Sequence, residues 1–333
     1  MAVLAHSRRI TLAFFGTPPY AVPTLRAMAA DAQFDVRMVV TQPDRKAGRG
    51  HQLVAPAVKV AAQELGLPIM QPPTLRDEDA RAQLRALDAD LFVVAAYSLI
   101  FSRPILDMPD YGCLNLHASI LPHYRGAAPI PAAILNGDAE SGVTLMMMER
   151  GLDTGPMVAV AKTPIEPADT TETLTARLAE IGAQLAVERI PDLISGRIES
   201  YPQPAGATAV RPLTKADGQM DWRQSANQLE RQVRAMWPWP RAWTIRNDIP
   251  LQIQKASVAL PADESNEPGS VRIIGAKPAI NCGDGQALVI EQGQLAGGKP
   301  MSGASLLNGR AITSGDVFLS ADAQDPPFIR RVD

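Results

Sequence analysis

Two polar side chains interrupt a short apolar run near the middle of the chain. Asn115 and His117 lie in the stretch "CLNLHAS", where they alternate with leucines. Because side chains alternate between the two faces of a β-strand, this spacing predicts that both point to the same side, with Cα atoms about 7 Å apart. An amide donates hydrogen bonds without titrating, and an imidazole can accept a proton near neutral pH. The pair suits attack of a nucleophile on a carbonyl, with Asn115 stabilising the oxyanion and His117 removing a proton.

Spacing alone leaves an ordinary interpretation of this pair open, in which the two side chains only cap backbone groups at a strand end. A third group would separate the two interpretations, because a catalytic imidazole needs a partner that fixes its tautomer. Asp153 lies between two glycines in "RGLDTGPM", and its carboxylate is a candidate for that partner. An aspartate in such a turn is also an ordinary turn former. Co-location of Asp153 with His117 in the fold is the deciding observation.

A second polar segment, "TQPDRKAGRGHQ", carries Arg45, Lys46 and Arg49. It follows the second predicted strand, at the edge where open parallel sheets bind their ligands. Arginine side chains there suit contacts with phosphates or base edges, and an ordinary solvated loop is the alternative. The first predicted strand leads into "FFGTPPY", in which prolines replace the glycines of a dinucleotide site, so no bound dinucleotide is expected.

The elements that must position these residues alternate regularly in the first half of the chain. Apolar runs such as "ITLAFF" and "DLFVVAAY" alternate with helical patterns, which predicts an α/β domain with a Rossmann-like parallel sheet. The stretch "ESYPQPAGATAV" is rich in proline and small residues, and the short apolar runs after it predict a small β-barrel or sandwich. We therefore predict a catalytic domain at residues 1–198, a linker at 199–210 and a second domain at 211–333.

The composition of the 333 residues is that of a globular protein, with 46% hydrophobic residues, 20% charged residues and a formal net charge of −3. No apolar run reaches the ~20 residues that span a bilayer, so we expect a cytoplasmic protein, and nothing in the pattern requires more than a monomer. The two cysteines lie far apart and outside any metal-binding spacing, so neither a disulfide nor a metal site is expected. Residues 211–255 carry eight basic and four acidic residues, which is compatible with a phosphate-bearing partner.

Several stretches together resemble one enzyme family. "NLHASILPHYRGAAPI" with "GLDTG" is similar to the signature of formyltransferases that take a formyl group from 10-formyltetrahydrofolate and place it on an amine. The stretches "QPDRKAGRG", "QMDWRQSANQLERQVRAMWPWPRAW" and "GKPMSGASLLNG" extend the resemblance from about residue 10 to about residue 315. They point to the branch of the family whose acceptor is the α-amine of methionyl-initiator tRNA, the substrate prepared for translation initiation.

The resemblance implies three sets of site residues, a catalytic domain without a metal, and an OB-like barrel as the second domain. The implied catalytic residues are Asn115, His117 and Asp153. The implied tetrahydrofolate site comprises Ser119, Ile120, Leu121, Pro122, Tyr97, Leu99 and Ile100. The loop that is implied to enter the tRNA acceptor stem carries Arg45, Lys46 and Arg49. Four residues depart from the family pattern at the edge of the pocket: Tyr20, Ser98, His123 and Tyr124.

Two other functions share parts of this pattern. A formyltransferase acting on a small amine, such as an amino-sugar nucleotide, would need the same Asn, His and Asp but neither the arginine loop nor the basic segment 211–255. A non-catalytic RNA-binding protein with an OB-like domain is the other alternative. An aromatic content of 5% gives such a protein little surface for base stacking.

Overall fold

The computed structural model describes residues 8–47, 52–260, 267–322 and 327–332, and an α/β domain comes first in the chain. The strands of this part are β1 (Ile10–Gly16), β2 (Phe34–Val40), β3 (Arg45–Ala47), β4 (Gln52–Val54), β5 (Ile69–Met70), β6 (Leu91–Ala95), β7 (Cys113–His117), β8 (Arg125–Gly126), β9 (Glu140–Met147), β10 (Met157–Pro164) and β11 (Thr208–Val210). Its helices are α1 (Val22–Ala30), α2 (Ala57–Glu64), α3 (Glu78–Arg85), α4 (Arg103–Leu106), α5 (Pro129–Asn136) and α6 (Thr171–Ile194).

Seven of these strands form one sheet in the order β10-β9-β7-β6-β1-β2-β5. The five strands from β7 to β5 are mutually parallel, as predicted. The sequence predicted the remaining two strands without a direction. β9 runs antiparallel to β7, and β10 runs antiparallel to β9, so β9 alone points against the other six. Strands that are covered on both faces read as continuous apolar runs whichever way they point, so the sequence carried no signal for this reversal.

Both faces of the sheet are packed, which explains the apolar runs of the sequence. In β1, Leu12 and Phe14 point into the core beneath α1 and α6, while Ala13 and Phe15 point into the core beneath α3 and α4. All seven residues of β1 are buried. Burial of a large apolar side chain such as Phe14 contributes about 1.5–3 kcal/mol relative to leaving it exposed.

The second domain is an antiparallel β domain. Its elements are α7 (Ala226–Ala235), β12 (Ala242–Arg246), β13 (Ile249–Ala259), β14 (Val271–Ile274), β15 (Lys277–Asn281), β16 (Ala287–Leu295), β17 (Met301–Ser302), α8 (Gly303–Asn308) and β18 (Ile329–Arg331). In chain order, one helix precedes its strands and another follows β17. The strand order is β12-β13-β16-β15-β14, with β17 paired to β16.

One short segment of this domain joins the two edges of the sheet. Leu319 bridges to Ile245 of β12, and Val317 bridges to Ser270 beside β14. The sheet therefore closes on itself around a core that contains Trp222. The predicted β domain is confirmed, and its finer description as an OB-like barrel stays a prediction.

The predicted linker at 199–210 is bound to the first domain along its length. Tyr201 pairs with Met157 at the start of β10, and β11 pairs in parallel with β8. The last strand, β18, returns from the second domain and pairs antiparallel with the other edge of β11. We call residues 199–210 the connector. Its boundaries with the two domains remain a prediction from the sequence.

The two domains also touch through helices. The side chains of Gln228 and Arg231 on α7 both donate to the carbonyl of Leu135 at the end of α5. The hydroxyl of Thr171, the first residue of α6, donates to the carbonyl of Ala235 at 2.7 Å. Among the helices that the structure describes, none has the length and apolar character needed to span a membrane.

Candidate active site

The structure brings the three predicted catalytic side chains together on one face of β7. Leu114 and Leu116 point into the core, so Asn115 and His117 share the opposite face. Oδ2 of Asp153 lies 3.5 Å from Nδ1 of His117, and its Oδ1 accepts a hydrogen bond from Nδ2 of Asn115 at 3.4 Å. The side chains of His117 and Asp153 are only 5% and 13% exposed. Little water screens the charges of this cluster.

A main-chain carbonyl contacts one nitrogen of the His117 imidazole ring, and Asp153 faces the other. Nε2 of His117 lies 2.9 Å from the carbonyl oxygen of Tyr124. A carbonyl can only accept, so Nε2 carries a proton and Nδ1 is the basic atom of the neutral ring. Oδ2 of Asp153 faces Nδ1 at 3.5 Å, which is long for a hydrogen bond, so the role of Asp153 in orienting the ring stays a prediction. Nδ1 and the Asp153 carboxylate are then both hydrogen-bond acceptors. A ligand group that donates protons can bind next to them.

Asp153 lies in a tight turn that folds back from the end of β9 over β7. Its φ of +52° is left-handed, a conformation that Asp and Asn adopt more readily than most side chains. The backbone N–H of Gly126 donates to its Oδ2 at 2.8 Å. At Gly155 a Cβ would lie 2.0 Å from the carbonyl oxygen of Met147, so the turn requires glycine there. The carboxylate is therefore placed by backbone contacts from two loops.

Cys113 is the remaining reactive side chain on this face of β7. It is buried, and its thiol donates weakly to the carbonyl of Ile105. Burial, with a smaller effect of the nearby Asp107 carboxylate, raises the pKa of Cys113 to about 12. The thiol stays protonated at neutral pH, so Cys113 is not a competing nucleophile.

The stretch "SILP" forms the floor of the loop that follows His117. Ser119 is 2% exposed and donates to the carbonyl of His123 at 2.6 Å. Leu121 packs against Met146 and Met157, and Pro122 is buried beside it. Ile120 is the half-buried member of the four. The structure thus places most of these predicted folate-site side chains inside the protein, from where they shape the loop.

The segment after β6 lies next to this loop. Val94 pairs with Asn115, so the residues that follow β6 lie at the level of His117. Tyr97 and Leu99 are half-buried, whereas Ile100 is 84% exposed. Residues 97–100 form no backbone hydrogen bond with another described residue. This segment therefore presents free N–H and C=O groups at the end of the sheet where the three catalytic candidates lie.

Tyr97 anchors that segment. Its ring packs edge-on against Phe15, with ring centroids 5.5 Å apart. Burial raises the pKa of the Tyr97 hydroxyl above its usual range. Within the described part of the chain, the hydroxyl oxygen has no hydrogen-bond partner. A buried hydroxyl without a partner is costly, so a ligand atom that pairs with it would be stabilised there.

The loop that carries Arg45, Lys46 and Arg49 follows Asp44, whose side chain is held by hydrogen bonds. Asp44 accepts hydrogen bonds from Gln71 and Lys59, and together these bonds lower the pKa of its carboxyl. Arg45 is exposed and donates to the side chain of Gln42 at 3.0 Å. The backbone of Lys46 belongs to β3, which pairs with β4. Arg49 lies outside the described residues.

Comparison with known proteins agrees with this arrangement. The family model described as "Formyl transferase" matches residues 8–190, and "Formyl transferase, C-terminal domain" matches residues 212–311. A relative from Aromatoleum aromaticum, named methionyl-tRNA formyltransferase, is 44% identical over 313 residues, 94% of this chain and 98% of that protein. A relative of the same name from Neisseria meningitidis is 45% identical over 308 residues, 92% of this chain and 99% of that protein. The chain belongs to the methionyl-tRNA formyltransferase family.

Solved structures of more distant formyltransferases share the fold with this member of the family. An N-formyltransferase from Helicobacter canadensis, solved with folinic acid and dTDP-3-aminofucose, superposes with a TM-score of 0.64 at 18% identity. It covers 84% of this chain and 98% of its own. A sugar 3N-formyl transferase solved with dTDP and 5-N-formyl-THF gives 0.63 at 18% identity, covering 88% and 100%. Identity this low supports the shared fold alone.

The family uses a folate-derived formyl donor, and the residues present are chemically suited to such a group. The hydroxyl of Tyr97 and the backbone groups of 97–100 have no hydrogen-bond partner among the described residues, so they are open to the polar edge of a ligand ring. Tyr20, one of the four residues that depart from the family pattern, is buried in the main core. Among the described residues, no group of three or more His, Cys, Asp or Glu side chains is placed to hold a metal ion.

Two classes of contact at the site were not predicted from the sequence. The carbonyl of Tyr124 and the N–H of Gly126 act through main-chain groups, which every residue type carries. Gln203 and Thr208 reach the site from the connector, and they lie 50 and 84 residues from Asp153 and Tyr124 in sequence. Among these residues, Gly126 is the one whose type is tied to its role, because its φ of +111° favours glycine.

Proposed function

We propose that this chain transfers the formyl group of 10-formyltetrahydrofolate to the α-amine of methionyl-initiator tRNA. The observation that carries the proposal is the contact between His117, Asn115 and Asp153, formed by segments 38 residues apart in sequence on a formyltransferase fold. The near-full-length similarity to proteins named methionyl-tRNA formyltransferase supports the choice of acceptor. A cytoplasmic monomer fits this activity.

The chemistry assigned to the site is attack of the amine nitrogen on the formyl carbon. An α-amine titrates near pH 8, so a useful fraction is neutral and nucleophilic at pH 7. Attack makes the nitrogen cationic, and Nδ1 of His117 is the atom that can take its proton. The carboxylate of Asp153, 3.5 Å from Nδ1, stabilises the imidazolium that results.

Asn115 is assigned to the oxyanion. One N–H of its amide points toward Asp153, and the other N–H is available to the oxygen of the formyl group. Collapse of the tetrahedral intermediate breaks the bond between the formyl carbon and N10 of the folate. N10 takes up the proton held by His117, and tetrahydrofolate leaves. Removing a single donor to an oxyanion typically costs about 2.7–4 kcal/mol in transition-state stabilisation.

The proposal is tested by a two-acceptor assay with purified protein. 10-Formyltetrahydrofolate is supplied with methionyl-tRNA in one reaction and with a dTDP-amino sugar in the other, and formylated product is measured by mass spectrometry. We expect formylmethionyl-tRNA and no formylated sugar. Product only from the sugar would replace our acceptor with a small amine, and RNA binding without either product would favour the non-catalytic alternative.

A further inference from the structure

The connector between the two domains touches the active site at two points. We propose that Gln203 and Thr208 are positioning residues for formyl transfer, which hold the Asp153 turn and the Tyr124 carbonyl where His117 needs them. The inference rests on the proposed function. Neither residue contacts the three catalytic candidates by a side-chain-to-side-chain bond, so both act through other groups.

Gln203 clamps the turn that carries Asp153. Its Nε2 donates to the carbonyl oxygens of both Asp153 and Gly155, each at 2.8 Å. Its Oε1 accepts from Nε and NH2 of Arg125 at 3.1 and 2.7 Å. The amide thus ties the aspartate turn to the residue next to Gly126, whose N–H binds the same carboxylate. One side chain fixes both loops that place the carboxylate.

The clamp matters because the turn has an uncommon backbone conformation. The φ of +52° at Asp153 lies in the left-handed region, which few residues other than glycine occupy, although Asp and Asn do so more often than most. Such conformations persist only where the surroundings hold them. The two carbonyls that Gln203 binds belong to Asp153 itself and to Gly155, which close the turn on either side of Thr154.

Thr208 holds the other half of the site. Its Oγ1 accepts from the backbone N–H of Tyr124 at 2.8 Å, and its own N–H donates to the carbonyl of Pro122 at 3.3 Å. Tyr124 also has a left-handed φ, of +59°, and its carbonyl is the acceptor for Nε2 of His117. The hydroxyl of Thr208 therefore supports the residue that fixes the ring and its tautomer.

The pairing of β11 with β8 and β18 gives Thr208 a rigid base, and Gln203 lies between this strand and the bridge of Tyr201 to Met157. Ala209 pairs with Arg125 on one edge of β11 and with Arg330 on the other. A site built on paired strands keeps its geometry better than one on an open loop. Loss of either side chain is thus expected to shift reacting groups rather than to unfold the domain.

The experiment compares kcat and KM for formylation of methionyl-tRNA in four variants of the full chain. Thr208→Val removes the hydroxyl at nearly constant shape, Thr208→Ser keeps it, and Gln203→Ala removes the clamp. Gln184→Ala, an exposed glutamine on α6, is the matched control. Thermal unfolding is recorded for each variant.

We expect Thr208→Val and Gln203→Ala to lower kcat about tenfold or more while KM for either substrate stays within about twofold, because a misplacement near 1 Å can cost about a hundredfold in rate. Thr208→Ser and Gln184→Ala should keep the parental kcat. A folded Thr208→Val with parental kcat, or a Thr208→Ser that loses as much as Thr208→Val, would overturn the inference.

The outcomes separate the inference from the proposed function. If the parental chain formylates methionyl-tRNA and the variants equal it, only the positioning roles fail. If the parental chain itself gives no product, the proposed function fails first. Should Gln203→Ala not fold, the two Thr208 variants decide, because each differs from threonine by one group: valine has a methyl group in place of the hydroxyl, and serine keeps the hydroxyl but lacks the methyl group.

Discussion

The two nitrogens of His117 face different partners, and this difference decides which of them can move a proton. Nε2 is committed to the carbonyl of Tyr124, whereas Nδ1 faces the carboxylate of Asp153 across 3.5 Å. When the ring is neutral, Nδ1 carries no proton, so Nδ1 and the carboxylate of Asp153 are both acceptors and form no hydrogen bond with each other. An amine nitrogen that becomes cationic during attack carries protons that either group can accept.

His117→Ala tests this assignment at the level of one residue. Loss of a general base typically costs about 10²–10⁴-fold in rate. We therefore expect kcat for formyl transfer to fall by at least about a hundredfold, with little change in the affinity for the folate donor. Turnover near the parental value would remove His117 from the mechanism, and the thermal unfolding temperature shows whether the variant is folded.

Asp153→Asn separates the charge of Asp153 from its role in the turn. Asparagine adopts left-handed φ values readily and keeps an acceptor for the N–H of Gly126. We expect an unfolding temperature close to that of the parental chain and a loss of about a hundredfold or more in kcat, because the imidazolium loses its counter-charge. Asp153→Ala is the companion variant, which should lose both activity and stability. Equal activity in Asp153→Asn and the parental chain would assign the residue to the turn alone.

Strand pairing at the level of elements carries the loop that supports the site. β8 is only two residues long, yet it binds β11 and presents the N–H of Gly126 to Asp153. Gly126 has a φ of +111°, and a Cβ there would lie 2.3 Å from the carbonyl oxygen of Val210. Glycine is therefore required for β8 and β11 to approach each other.

Gly126→Ala is expected to open this pairing. The added methyl group must push β11 away and also occupy an unfavourable φ, so we expect a free energy of unfolding at least about 2 kcal/mol below that of the parental chain. Gly206→Ala is the matched control, since Gly206 also has a left-handed φ, of +94°, but open space around its Cβ position. Urea unfolding of both variants measures the difference. Similar losses in the two would mean that backbone conformation, and not the contact with Val210, sets the cost.

Local patterns predicted most of the elements but not how two of them are used. The alternation in "CLNLHAS" predicted the shared face of Asn115 and His117, because period-two alternation is a property of a single strand. The direction of β9 was not predictable, because an apolar run reads the same in either direction. The connector read as a linker, because its proline and small residues obscure a three-residue strand whose partners lie far away in sequence.

At the scale of the whole molecule, a buried ion pair lies where the connector meets the second domain. Arg211 donates two hydrogen bonds to the carboxylate of Asp217, whose side chain is 3% exposed. Burial raises the pKa of Asp217, but the bonds from Arg211 and Thr214 outweigh it and hold the pKa below its usual range. Arg211 also lies over the ring of Phe328, next to β18. The pair therefore joins the connector, the second domain and the end of the chain.

Asp217→Asn should destabilise the protein in a pH-dependent way. Removing one charge of a buried pair costs about 3–5 kcal/mol, so we expect a clear loss in the free energy of unfolding at pH 7. Because the folded-state pKa of Asp217 is lowered, its contribution is present above the unfolded value near 3.9 and disappears as the pH falls through the folded value. The difference between parental chain and variant should shrink below about pH 4. Asp107→Asn, which breaks an exposed pair with Arg103, is the control and should cost at most about 1 kcal/mol.

Binding of tRNA should depend on salt, because it rests on contacts between basic side chains and phosphates. Replacing one such side chain is expected to reduce the slope of log affinity against log salt by about one. We predict this for Arg49→Ala, with folate binding unchanged, from the resemblance of its loop to the acceptor-stem loop of the family. Arg103→Ala on α4 is the control, with a side chain 74% exposed. If the slope for Arg49→Ala equals that of the parental chain, Arg49 makes no phosphate contact and the loop is an ordinary solvent-exposed loop.

The sequence by itself determined which side chains can carry the chemistry, the alternation that puts Asn115 and His117 on one face, and the division into an α/β part and a β part. Only the tertiary structure decided that the carbonyl of Tyr124 contacts the imidazole and that the connector contacts both loops. The physical reason is that these contacts use main-chain groups and distant segments. Every residue carries the same N–H and C=O, so residue types alone do not record which of them will meet.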